Sequence, residues 1–275
     1  MALSAPRHLG DGTMSLPRSV RLIWWVTWFN VRMLLVSEFF VLLTFVSPLI
    51  FATLAFFLFR LGHSTGGQTL LYAALGSGMM GVWSTTLFGC GGAIAWQRWE
   101  GTLELLVNAP TRYDFILAGQ TFGAVIFGFA GILMTIAWGM LLFGMPLTST
   151  FPLLLPLSLF AAVVSLGALG MLIATSFVLY RHANALSNML EYPIWLVAGL
   201  LVPIATLPAW VQPISWLLAP TWGMDAIRGA TLQSQPPWFA IGMCFALAVV
   251  YYFLARVALR YVLHLARRDA TLDLR

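Results

Sequence analysis

Residues 39–59 read FFVLLTFVSPLIFATLAFFLF, a run in which no side chain is charged. As a helix rising 1.5 Å per residue, such a run is about 30 Å long, the thickness of a bilayer's hydrocarbon core. It is continuously apolar and lacks the alternation of a barrel strand, which argues against an outer-membrane barrel. The rest of the chain agrees. Of its 275 residues, 60% are hydrophobic and 8% charged, and the mean hydropathy is +0.90. A soluble domain carries about 25% charged residues, so this chain cannot cover a water-facing surface. It reads as an all-α polytopic membrane protein.

Five more apolar runs follow, at roughly 69–95, 115–143, 153–179, 186–206 and 238–262, which makes six spans between residues 38 and 265. Pro48, Pro193 and Pro203 fall inside these runs, where neighbouring helices can re-satisfy the freed carbonyls. All 14 basic residues are arginine. With both termini in the cytoplasm, only Arg60 and Arg228 lie outside and the other twelve lie inside, as positive-inside orientation requires. Residues 1–15 are Gly, Pro and Ser-rich without a signal-peptide core, and read as a disordered cytoplasmic tail; 266–275 form a second one.

Two segments beside the spans have their own character. Residues 16–37 are oily but carry Arg18, Arg21 and Arg32 within an arc of about 60° at 100° per residue, with Trp25 and Trp28 on or beside it. Such a stripe suits the headgroup layer and predicts an interfacial amphipathic helix along the inner surface. Residues 207–230 contain PISWLLAP, too short to cross. They predict one or two short helices re-entering the outer interface, anchored by Trp210, Trp216 and Trp222.

The loop between the second and third runs reads QRWEGTLELLVNAPTRYDF, residues 97–115. It carries a helix start at Gly101–Thr102, an apolar ridge of Leu103, Leu106 and Val107, acids Glu100 and Glu104, and a stop at Asn108 and Pro110. A capped helix over 100–109 is more than a turn requires. The pattern Glu100, Gly101, Thr102, Leu103, Glu104, Leu106, Pro110 and Arg112 resembles the signature loop of ABC-2 type transporter permeases. The resemblance extends over nearly the whole chain, including LPAWVQPISWLLAPTWGMDAIRG before the last span. Its flavour is that of daunorubicin-type and nodulation-factor exporters.

That resemblance implies a type V exporter-like half-transporter: six spans after an interfacial helix, paired with a second permease subunit, identical or not, and with cytoplasmic ATPases. The loop would be a coupling helix, burying Leu103, Leu106 and Val107 in a groove of the ATPase while Glu100 and Glu104 meet its basic residues. Exported substrates would be hydrophobic or amphipathic, of the drug (as in multidrug efflux), lipid or glycolipid class, across a bacterial cytoplasmic (inner) membrane. In the family the second and fifth spans border the substrate route, which makes Met79, Trp83 and Trp195 candidates for its lining. A P-loop needs the lysine of G-x-x-x-x-G-K-[ST], and the chain has no lysine, so ATP and Mg are expected on the partner and no cofactor or catalytic residue on this chain.

The remaining candidates are few. Glu38 and Glu191, read as lying at the cytoplasmic ends of the first and fifth spans, are possible coupling charges, with Arg32 or Arg181 as partners. Asp114 favours a helix N-terminus. The Gly-rich second run predicts close helix approach. Cys90 and Cys244 lie in apolar runs and read as packing residues. The four histidines lack metal spacing, and no basic stripe with interleaved aromatics points to nucleic acid; the partners expected are proteins and lipid. Competing readings are an accessory or sensor membrane protein, a polysaccharide-exporting permease of the same family, and a proton-coupled transporter. The last is disfavoured because no acid is placed near mid-span by the sequence.

Overall fold

A computed structural model describes residues 16–61, 67–99, 101, 113–145, 149–179, 183–200 and 203–268. The described residues are almost wholly helical. Helix α1 (Leu16–Val36) ends at Ser37, whose extended backbone (φ −79°, ψ 113°) separates it from α2 (Glu38–Val41). A π-helical turn, Leu42–Val46, follows, and α3 (Ser47–Leu61) completes the first apolar run. The turn widens for a local reason: Pro48 has no N–H to give the Thr44 carbonyl four residues back. The Thr44 hydroxyl makes its own bond across the fold, to the Thr85 hydroxyl at 2.7 Å.

Helix α4 (Gly67–Trp99) is the axis of the molecule, and residues 73–90 are all buried. Its glycines make this possible. A Cβ on Gly78 would stand 2.8 Å from the Ile132 Cα and one on Gly89 2.8 Å from the Ala124 Cβ, while on Gly81 it would meet the Pro48 ring at 2.5 Å. The partner helix α5 (Tyr113–Phe143) answers with Gly128, which sits against Val82. The close approach expected of the Gly-rich run is therefore present, made by small residues that let backbones touch. Around α4 and α5 stand α3, α6 (Leu154–Leu179) and α7 (Ala183–Val197). A 3-10 turn (Ile204–Thr206), α8 (Gln212–Trp216) and α9 (Ala219–Leu232) follow. Helix α10 (Trp238–Arg268) then lies along α6. The main core centres on Leu75, Met79, Trp83, Leu166 and Met224; a second core joins Leu34 of α1 to Leu117, Phe127 and Leu259.

Among the described residues, four helical stretches are long and apolar enough to cross a membrane: Glu38–Leu58, Tyr113–Phe143, Leu154–Ser176 and Trp238–Tyr261. Two of the six expected runs differ for physical reasons. Helix α4 is the longest, yet its burial on all sides has filled it with Gly, Ser and Thr in place of larger apolar residues. Helix α7 has 15 residues, about 22 Å at 1.5 Å per residue, and so falls short of the run at 186–206. Gly199 (φ 73°) turns the chain out of it, and Pro203, extended at φ −58° and ψ 140°, lies beyond the helix rather than inside it. The segment 207–230 contains one short helix, α8, and most of a second, α9. Within it Trp210 and Trp216 are exposed, while Trp222 donates to the Trp216 carbonyl at 2.7 Å and packs on Phe239.

Candidate functional site

The loop singled out by sequence lies mostly outside the described residues: Glu100, Thr102, Leu103, Glu104, Leu106, Val107, Asn108, Pro110 and Arg112 are not among them. Gly101 is. It follows α4 by two residues, is exposed, and has φ 70°, the left-handed conformation that glycine adopts without penalty where a helix is left.

Along α1, Arg21, Trp25, Trp28 and Arg32 are all exposed, and the Arg32 guanidinium lies 5.1 Å from the centre of the Trp28 ring. The opposite face is committed to α5. Thr27 donates to the Gly119 carbonyl at 3.1 Å, and a Cβ on Gly119 would stand 2.7 Å from Val26. Of Arg18 the helix position alone is described.

Met79 and Trp83 are fully buried, and Trp195 is nearly so, held edge-on between Phe51 and Tyr192. All three belong to the main core, and in this conformation they are packing residues of α4 and α7. Glu191 requires a correction. It is not at a helix end but in the second half of α7, buried, and accepts a hydrogen bond from the Ser84 hydroxyl halfway along α4. The run at 186–206 implied a helix starting near Glu191; α7 starts earlier and carries the carboxyl inward. The argument that no acid lies near mid-span loses its force at this residue. Glu38, by contrast, opens α2 and is exposed. Cys90 and Cys244 are buried free thiols, and Asp114 lies in the first turn of α5. Among the described residues no His, Cys, Asp and Glu cluster could hold a metal.

The most organised polar site was not singled out by sequence. Arg228 of α9 is 9% exposed, and it donates through Nη1 to the Gly199 carbonyl and through Nη2 to the Leu200 carbonyl, each at 2.9 Å. These carbonyls belong to the chain leaving α7, which the turn at Gly199 frees from helical bonding. The guanidinium also stacks 3.5 Å from the centre of the Tyr72 ring on α4. Gly76, one turn further along α4, is the complement: a Cβ there would collide with the Leu200 carbonyl and come within 3.0 Å of Arg228 Nη2. One side chain thus ties α4, α7 and α9 together. Burial lowers its pKa to about 10, so it remains charged at neutral pH.

Beside this junction opens a cleft of about 400 Å³, with Ala198, Pro203, Ile204, Met224 and Leu232 in its apolar wall and Arg228, Asp225 and Gln233 among its polar lining. Asp225 is exposed at its rim and hydrogen-bonded to Gln233. Arg228 contributed to the sequence reading only as one of two outer arginines. The available signal was its place within PTWGMDAIRGATL, where it is the only basic residue of an otherwise uncharged stretch apart from Asp225.

No match was found among curated proteins. Residues 21–232, from α1 through the last residue of α9, match the family described as ABC-2 type transporter. That match covers well over half of the chain and takes in the apolar stretches Glu38–Leu58, Tyr113–Phe143 and Leu154–Ser176 and the loop after α4. The chain belongs to the ABC-2 type transporter family, as an integral membrane permease of an ABC transporter.

Proposed function

We propose that this permease exports a hydrophobic or amphipathic substrate, of the drug, lipid or glycolipid class, using ATP and Mg bound by a separate cytoplasmic ATPase. The observation that carries the reading is the family match, which spans the loop pattern from Glu100 to Arg112 as well as the helices on both sides. In this reading the chain crosses six times, with both termini in the cytoplasm of a bacterium, and α7 crosses together with the irregular chain after it. Helix α1 lies at the inner interface, with Arg21, Trp28 and Arg32 toward the headgroups. Two permease subunits frame the route. The branch is that of daunorubicin-type and nodulation-factor exporters.

Residues 100–109 are the coupling helix. A short helix that bridges the inner ends of α4 and α5 transmits a push to the two helices that share the longest contact in the fold. Leu103, Leu106 and Val107 bury in the ATPase, and acids at Glu100 and Glu104 pair with its basic residues better than with an anionic leaflet.

The test is co-purification followed by coupling. A P-loop ATPase is expected to co-purify with the chain, and Leu103→Asp or Glu104→Arg should reduce its stimulated activity by about tenfold, the effect of losing roughly 1.4 kcal/mol at the interface. Variants that bind the ATPase and stimulate it normally would remove the loop from the mechanism. Failure to recover any ATPase would remove the transporter reading itself.

A further inference from the structure

The cleft beside Arg228 carries two opposite charges at different depths. Arg228 spends two of its five N–H groups on neutral carbonyls, and Asp225 on the same helix offsets its charge in part. Asp225, three residues earlier on α9, presents a carboxylate at the rim, steadied by Gln233. A positive group therefore stands on the inner wall and a negative one at the mouth, over an apolar wall that includes Ile204, Met224 and Leu232. We propose that this cleft seats the zwitterionic head group of an amphipathic molecule, its phosphate toward Arg228 and its ammonium toward Asp225. The proposal rests on the reading of the chain as a permease for amphipathic molecules.

The alternatives are chemically poorer. A lone phosphate or carboxylate would meet Arg228 favourably but lie beside the Asp225 carboxylate. A lone ammonium has the converse difficulty. A neutral apolar molecule would shut both groups away from water while offering neither a partner beyond the attraction they already have for each other. The volume, about 400 Å³, suits a head group with the start of its tail and not a whole two-chain lipid. Two sources share this chemistry: a phospholipid resident in the bilayer and a transported cargo.

The experiment uses the full chain, with its ATPase where one co-purifies, in neutral maltoside micelles. Four probes with the same dodecyl tail are compared by thermophoresis: dodecylphosphoethanolamine, dodecyl phosphate, dodecylamine and dodecanol. The zwitterion is expected to bind about tenfold tighter than either singly charged probe, a difference of ~1.4 kcal/mol. Asp225→Asn should bring it down to the level of dodecyl phosphate, and Arg228→Gln to that of dodecylamine. Because Arg228 also ties the fold, Asp225→Asn is the deciding variant. Four probes binding within twofold of one another, or a preference unchanged in Asp225→Asn, would overturn the proposal. Stimulation of ATPase activity by the bound zwitterion would identify it as cargo; binding without stimulation would identify a resident lipid, and either result upholds the seat. Absence of an ATPase would defeat the export reading, yet probe binding to the permease alone would still decide the seat.

Discussion

At the scale of single residues, Arg228 and Gly76 are two halves of one contact. Removing the guanidinium by Arg228→Ala loses two charge-assisted hydrogen bonds of about 1.5–3 kcal/mol each and leaves two carbonyls without their donors. Gly76→Ala attacks the same contact from α4, by forcing a methyl into the Leu200 carbonyl, at a cost of about 1–3 kcal/mol. Both variants should lower the midpoint of thermal unfolding in detergent. The double variant should lose less than the sum, because either change alone already separates α9 from α4. Gly242→Ala, inside α10, is the control: nothing lies within 4 Å of a Cβ at that position, and stability should hold or rise by about 0.5–1 kcal/mol. Additive losses would mean that the two residues do not share a contact. Arg228 shows why this site was illegible in sequence. Its partners are backbone carbonyls 28 and 29 residues away, exposed by a break in α7 that only the fold reveals.

At the scale of elements, α1 is held by a seam of small residues on α5. Gly119 and Gly123 receive Val26 and Asn30, and a Cβ at either glycine would fall inside 3 Å of those side chains. Gly119→Val should therefore lift α1 from α5 while the α4–α5 core stays folded. The measurement is limited trypsin digestion, with cleavage at Arg21 and Arg32 accelerated several-fold and the core fragment persisting; an unchanged digestion rate would show that the seam does not hold the helix. Element positions were largely readable, because an apolar run of some 20 residues has few alternatives to a helix. The expected starts at 69, 115 and 153 lie within two residues of α4, α5 and α6. Two features escaped the same logic. The π turn at Leu42–Val46 goes with Pro48, which has no N–H for the Thr44 carbonyl, and the partner of the Thr44 hydroxyl there is Thr85, 41 residues distant. The end of α7 depends on Gly199, whose composition context is as apolar as the helix before it. Glu191 was misplaced for that same reason, since run boundaries drawn by hydropathy shifted α7 toward its C-terminal side.

At the scale of the whole molecule, the crossing of α7 decides the topology. Its 15 helical residues alone are too short, but the chain continues through Gly199 and the 3-10 turn before α8 begins. The arginines weigh on the answer. If α7 crosses, α5, α6 and α7 make three crossings between Gly101 and Gln233, and Arg228 lies outside. If it does not, Arg256, Arg260, Arg267, Arg268 and Arg275 move to the outer side, against the positive-inside tendency. Both Gly101 and Gln233 are exposed, so each can carry a label. In a background of Cys90→Ala and Cys244→Ser, Gln233→Cys is expected to react with an impermeant maleimide on intact spheroplasts, and Gly101→Cys only after permeabilisation. Cys90→Ala removes one buried atom and Cys244→Ser keeps the side chain's shape, and neither thiol is in a disulfide, so the background should fold. Labelling of both positions from one side would reduce the crossings between them to an even number and make α7 a helix packed inside the permease. The cleft at Arg228 would then open to the opposite side from the one proposed, and a resident inner-leaflet lipid would become its ligand.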